Sequence, residues 1–299
     1  MSANSKIEWC DDSINPWWGC TKVSPACKHC YAESRANYGS KAAFGERVFW
    51  GDQHPRHYRV ERARKEAISL QKLAKENDTT RLVFLESMGD FFEGRPEQEP
   101  ILRQWWKVIE ETPNLRWLIL TKRPQNILRL TPWRAGYWPN NIWVGCTIEN
   151  QACADERLPH LLKVPSAVRF VSAEPLLGPL DLSSVLGDGL GKINWLITGG
   201  ESGTGARGCQ NMLGWFRSLR DQSVAAEVPF LFKQWGMFAQ GSGEDSEILF
   251  KIGPKKNPDN RLDGAKWLQF PGQRSDPIVD YSPPPPYTRY DRIINLNII

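Results

Sequence analysis

The chain has 299 residues, 40% of them hydrophobic and 24% charged, with a formal net charge of +4. Those values fit an ordinary globular protein of two average domains or one α/β barrel, and they exclude a disordered polyelectrolyte. No run approaches the ~18 apolar residues of a membrane span, and Met1 to Glu8 lacks a secretory h-region. The expectation is therefore a cytoplasmic chain with no membrane partner.

A short strand is expected first, around Ile14 to Trp18. Three cysteines follow in the segment Cys20 to Cys30, spaced C-x6-C-x2-C, and a helix opens near Tyr31. Pro55 to Glu76 reads as a long helix with Ala63, Ala67, Ile68, Leu70, Leu73 and Ala74 on one side. Its start is the densest basic stretch, with Arg56, His57, Arg59, Arg62, Arg64 and Lys65, read as a solvated helix face or a phosphate contact. Strands are then expected at Arg81 to Glu86, Arg116 to Thr121, Ile142 to Ile148, Val168 to Ala173, Trp195 to Thr198 and Pro229 to Phe232. They are continuous apolar runs, the mark of parallel strands buried on both faces. Helices are expected at Glu97 to Glu111, Cys153 to Leu162 and Leu213 to Ser223.

Strands alternating with helices imply βα units with right-handed crossovers. The expected fold is α/β, a full or partial (β/α) barrel of about six parallel strands over residues 1–240. An open doubly wound sheet is the alternative. From residue 241 Gly, Pro, Asp and Lys dominate, with a Pro283 to Pro286 run. That segment, 241–299, reads as an irregular extension packing on the barrel.

Seven cysteines in a reducing compartment disfavour disulfides, and clustered ones point to a metal. Thiolates select zinc, Cu(I) or iron–sulfur clusters. A structural zinc site wants four ligands, and Cys10 or His29 offers a fourth. A 4Fe–4S cluster on Cys20, Cys27 and Cys30 leaves one iron open. Placement after the first strand of a βα series favours the cluster, because barrel active sites lie at the C-terminal strand ends. Cys10, Cys146, Cys153 and Cys209 are too scattered to form a second motif. The 14 tryptophans suggest either core packing or base stacking.

Cys27-Lys28-His29-Cys30-Tyr31-Ala32 is similar to the end of the cluster motif of the radical S-adenosylmethionine superfamily, whose usual spacing is C-x3-C-x2-C. The x6 gap is a departure. Trp9-Cys10-Asp11, Asn15 to Cys20 and Cys27 to Glu33 more closely resemble a group of radical-SAM-like proteins common in phages and bacterial genomes. That likeness runs through Leu85 to Phe92, Leu118 to Arg123, Val171 to Pro175 and Ile197 to Gly205. It implies a 4Fe–4S cluster on the three cysteines whose open iron chelates S-adenosylmethionine (SAM). It also implies reductive cleavage to a 5′-deoxyadenosyl radical that abstracts hydrogen from a substrate. An external electron donor is required, and a nucleotide or nucleic acid is the substrate guess.

The polar strand ends supply candidate SAM contacts. Where the superfamily has a Gly-Gly-Glu-like element, this chain offers Ser87, Gly89 and Asp90. Lys122 beside Arg123 suits a carboxylate or phosphate. Thr147, Glu149, Ser172 and Glu174 suit the ribose and methionine portions. Gly199, Gly200 and Glu201 form a Gly-rich turn that lets backbone pass close to adenosine. The competing reading from a different class is a zinc-stabilised nucleic-acid-associated binding protein without catalysis.

Overall fold

The computed structural model describes residues 2–3, 5–133, 137–203, 205–240, 249–251, 260–272 and 278–279. The Pro283 to Pro286 run lies outside the described residues, as does most of the expected extension. The chain divides into two compact units. The first comprises Met1–Thr147, Asp155–Phe170 and Gly189–Lys192. The second comprises Ile148–Ala154, Val171–Asp188 and Ile193–Ile299.

The first unit begins with β1 (Ser2–Ala3), paired antiparallel to β2 (Asp12–Ile14). The chain then forms β3 (Trp17–Trp18), the cysteine loop and α1 (Tyr31–Phe44). A left-handed Gly45 stops α1, with its amide on the Lys41 carbonyl, as a helix C-terminus favours. β4 (His57–Tyr58) pairs antiparallel with β3 and precedes α2 (Val60–Glu76). α2 therefore starts five residues later than the sequence suggests. Pro55 lacks an amide for a helix, and Arg59 donates its own amide to the Pro16 carbonyl at 2.6 Å. The buried stripe of α2 is Ala63, Ala67 and Ala74, while Ile68 and Leu73 are exposed. Small residues let α2 lie close to its neighbours.

Three longer strands complete this unit's sheet: β5 (Arg81–Leu85), β6 (Leu115–Thr121) and β7 (Ile142–Thr147). β2, β5, β6 and β7 are parallel neighbours in that order. α3 (Glu99–Glu110) and the short α4 (Ile127–Leu130) separate them in sequence. The apolar runs of β5 and β6 bury most of their residues and β7 buries all six, as expected of strands covered on both faces.

α5 (Gln151–Leu161) and β8 (Arg169–Ala173) carry the chain between the units. Backbone bonds Val144 N to Val168 O and Ile148 N to Ser172 O advance together, the parallel pattern. In the second unit β9 (Trp195–Gly199) is followed by α6 (Met212–Ala225) and β10 (Phe230–Gln234), and β9 and β10 are parallel. Seven parallel strands thus alternate with helices in an α/β fold. They are the six expected runs plus the short first strand, each placed within a few residues of its sequence-derived bounds.

Beyond β10, β11 (Phe238–Gln240) pairs with β12 (Leu249–Lys251). β13 (Arg261–Leu262), β14 (Ala265–Lys266) and β15 (Ile278–Val279) form a small antiparallel sheet. Phe232 N donates to Trp267 O at 2.9 Å and Gln269 N to Phe230 O at 3.2 Å. Residues 267–269 thereby satisfy backbone groups of β10 that an edge strand leaves open.

Ten of the fourteen tryptophans are core. Trp9, Trp17, Trp18, Trp105, Trp106, Trp117, Trp133, Trp143, Trp195 and Trp235 are all buried. Among the described residues no helix is long and apolar enough to cross a membrane.

Candidate functional site

The cysteine loop is fixed at both ends. At its start Gly19 bridges to Gly89 and donates its amide to the Met88 carbonyl at 3.0 Å. Gly19 has φ +116°, and a Cβ there would stand 2.9 Å from the Arg56 side chain, so conformation and space both demand glycine. At its far end Pro25–Cys27 forms a 3₁₀ turn with proline at the first position, where its missing amide costs nothing. Cys30 is then the extended N-cap residue of α1. Ala32 and Ala36 of α1 pack with Trp18, Val48 and Met88, which anchors the helix under the loop. Cys20, Cys27 and Cys30 are all free thiols of intermediate exposure.

The first loop residue after Cys20 is held on every polar group it has. Thr21 donates its amide to Glu93 Oε1 at 3.0 Å. Its hydroxyl accepts from Arg56 Nη2 at 2.8 Å, and its carbonyl from Arg123 Nη2 at 2.7 Å. Arg56 and Glu93 form a bidentate pair, Nε to Oε2 at 2.8 Å and Nη2 to Oε1 at 2.5 Å, with side chains 0% and 3% exposed. Arg56 also donates to the carbonyls of Gly51 and His54. Arg123 Nη1 donates to Asp90 Oδ2 at 2.8 Å and lies 3.9 Å from Cys20 Sγ. Two guanidiniums and two carboxylates thus bury a neutral set around one loop residue.

The thiols differ in electrostatics. Burial, reinforced by Asp90 and Glu93, pushes the Cys20 thiol up to about 12 against the opposing pull of Arg123. Burial also acts upward on Cys27, but Lys122 and hydrogen bonds from Val23 and Ser24 outweigh it and the net shift is downward. Burial opposes ionisation of Glu93, yet Arg56, Thr21 and Arg123 hold it below its usual range. Glu86, at the tip of β5, has no such cation. Burial drives its carboxyl well above the ordinary value, with Asp90 and Glu93 adding to it and the Trp17 amide opposing. Glu86 also has φ +71°, a left-handed conformation costly for a residue with a side chain.

The donor set fits an iron–sulfur cluster. Three thiols share one loop, and Lys122 favours the thiolate of the second, while at the first burial, Asp90 and Glu93 outweigh the neighbouring guanidinium. Among the described residues no three of His, Cys, Asp and Glu converge closely enough to hold one metal ion. A four-iron cluster takes one cysteine per iron. Cys10, the possible fourth zinc ligand, precedes β2 and points its thiol at Ile7 O at 3.8 Å. The loop cysteines follow β3, beyond the other end of β2.

The remaining candidates near the loop have defined partners. Ser87 Oγ donates to Asn15 Oδ1 at 3.0 Å, and its carbonyl accepts from Tyr31 Oη at 2.9 Å. A Cβ on Gly89 would stand 2.9 Å from both Glu86 Oε1 and Trp17 Nε1 and 3.1 Å from Gly19 O. Gly89 therefore admits the cysteine strand itself. Asp90 accepts from Phe92 N, Thr121 Oγ1, Lys122 N and Arg123 Nη1, which uses the acceptor capacity proposed for an ammonium. Thr147 is buried at the end of β7, with Arg157 donating to its carbonyl at 2.7 Å.

In the second unit Glu174 accepts from Lys233 Nζ at 2.6 Å and Gln234 Nε2 at 3.1 Å. Glu201 accepts from Arg207 Nε at 2.8 Å, Nη2 at 2.5 Å and the Arg207 amide at 2.7 Å. Glu149 and Ser172 are buried, with the Glu149 carbonyl accepting from Leu177 and that of Ser172 from Ile148. A Cβ on Gly199 would stand 3.3 Å from Gln234 O, and one on Gly200 1.7 Å from Trp235 O. These two glycines let β9 pass the end of β10.

Sequence reasoning missed Arg56, Glu93 and Glu86. Arg56 stood in a stretch read as a solvated helix face or a phosphate contact, but it is 3% exposed and ion-paired. Its place after Pro55 was the available signal, since a proline there argues against helix continuation.

A double mutant of spore photoproduct lyase, with bound AdoMet and dinucleoside spore photoproduct, is similar in structure at 12% identity. That likeness covers 85% of this chain and 68% of the other, with a TM-score of 0.45. A single mutant of the same lyase gives 13% identity, coverage of 85% and 68%, and a TM-score of 0.42. No curated protein matches the sequence. A family profile matches residues 4–271, nearly the whole described chain, and this protein therefore belongs to the family described as Protein of unknown function (DUF5131).

Proposed function

We propose that this chain is a radical SAM enzyme holding a 4Fe–4S cluster on Cys20, Cys27 and Cys30. One observation carries the reading: three free thiols follow the first parallel strand on a loop backed by Arg123 and Lys122. When bound, such a cluster supplies an open iron for SAM and the electron for reductive cleavage of its sulfonium. The chain's own residues do the rest. Arg56, Glu93 and Arg123 fix Thr21 and so the position of Cys20. Lys122 favours the Cys27 thiolate needed for ligation. Electrons come from an external donor. The substrate class proposed is a nucleotide or nucleic acid, supported only by the mild positive charge.

The test is anaerobic reconstitution, incubation with SAM and a strong reductant, and mass spectrometry for 5′-deoxyadenosine. Wild type is expected to form it and Cys27→Ala to lose it. Full cleavage by the variant removes Cys27 from the ligand set.

A further inference from the structure

We infer that Arg123 is a positioning residue with two tasks: it holds Cys20 in place before any cluster arrives, and it tunes the charge around that cluster afterwards. The second task rests on the cluster reading; the first does not.

Arg123 follows β6 and is 9% exposed at its side chain. Its guanidinium spends Nη2 on the Thr21 carbonyl at 2.7 Å and Nη1 on Asp90 at 2.8 Å. The same Nη1 lies 3.9 Å from Cys20 Sγ. Asp90 in turn is fixed by the Thr121 hydroxyl at 2.6 Å and the Lys122 amide at 3.2 Å. The cation is therefore locked against the first sulfur by rigid strand-end groups. Arg56, the other guanidinium, is committed to Glu93 and three oxygens of residues 21, 51 and 54. Of the two buried arginines around the loop, Arg123 is the one whose donor reaches a cysteine.

A planar fork explains why arginine stands here. Its two terminal nitrogens serve a carbonyl and a carboxylate at once, which a lysine ammonium does less well. Positive charge beside a cluster sulfur stabilises the reduced, more negative cluster, so it raises the midpoint potential. Asp90 acts in the opposite sense by neutralising that charge. The pair is thus a two-handed control over one sulfur.

Two measurements test the two tasks. In the metal-free chain, hydrogen exchange at residues 19–23 is expected to be slow in wild type and faster in Arg123→Gln. Equal exchange overturns the holding role. In reconstituted protein, potentiometric titration followed by electron paramagnetic resonance is expected to show a more negative midpoint in Arg123→Gln and a near-wild-type one in Arg123→Lys. Asp90→Asn should move the midpoint the other way. A midpoint common to all four proteins overturns the tuning role, and so do shifts that ignore the sign of the charge removed. Should Arg123→Gln fail to fold, Asp90→Asn still decides the sign, with Arg123→Lys as the charge-conserving control. If wild type takes up no iron, the cluster reading falls and takes the tuning role with it, while the exchange measurement still judges the holding role.

Discussion

The two units spend their charges differently. In the first, Arg56, Glu93, Asp90 and Arg123 are almost wholly buried and turned inward on the cysteine loop. In the second, Glu174 with Lys233 and Glu201 with Arg207 are pairs with one or both side chains reaching solvent, Arg207 at 30%. The first arrangement is scaffold: breaking it strands a charge in a dry interior. The second is a set of polar groups able to change partners at modest cost.

The largest difference between the regions is expected on removing a cation. Arg56→Ala leaves buried Glu93 without its bidentate partner, with only the Thr21 amide, Gln98 and the more distant Arg123 beside it, and a broken buried pair costs about 3–5 kcal/mol. Lys233→Ala leaves Glu174 with Gln234 and some water, and about 1.5 kcal/mol is expected, the low end for a hydrogen bond to a charged group. Chemical denaturation of the two variants measures both. Equal losses would erase the contrast.

Gly89→Ala comes between them. Its Cβ meets two polar side-chain atoms at 2.9 Å and the Gly19 carbonyl at 3.1 Å, with a carbonyl that cannot rotate away. Overpacking of this kind costs about 1–3 kcal/mol. The same denaturation curves check it, and a neutral outcome would show that the Gly19–Gly89 contact has room to relax.

The smallest effect is a pH dependence, and it has opposite signs at two glutamates of the first unit. Glu86 is raised in the folded chain by burial, so it costs nothing below the unfolded carboxyl range and destabilises increasingly as pH rises through that range. Glu86→Gln should therefore match wild type in acid and gain melting temperature relative to it towards neutral pH. Glu93 is held low despite its burial, chiefly by Arg56, so its contribution is present above the unfolded carboxyl range and is lost as pH falls. Glu93→Gln should thus fall below wild type at neutral pH and approach it in acid. Melting curves from pH 4 to pH 8 separate the two, and parallel curves for all three proteins would contradict the assignment.

Much of the fold was legible because buried parallel strands write themselves as short continuous apolar runs. Trp195 to Thr198 and Val168 to Ala173 are β-strands almost residue for residue. The cysteine loop was legible too, because three sulfurs in eleven residues have few structural excuses. The pairing of His57–Tyr58 with Trp17–Trp18 was not, since it joins segments forty residues apart and overrides a helical pattern. Nor was the fate of Asp90. Its neighbours in sequence, Gly89 and Phe91, say nothing of Arg123, whose guanidinium arrives from the end of another strand. Ionic partners set by tertiary proximity leave no spacing signal. The glycines at 89, 199 and 200 read as places where backbone could approach a ligand, and the close passes of the chain that they allow left no signal in the sequence.

The central claim is the identity of the centre on Cys20, Cys27 and Cys30, and metal analysis of anaerobically purified protein tests it most directly. The account predicts a brown protein with about four iron and four sulfide per chain, falling sharply when Cys20, Cys27 or Cys30 is replaced by alanine and unchanged when Cys10 is. A colourless protein with one zinc per chain that survives those same replacements would contradict it.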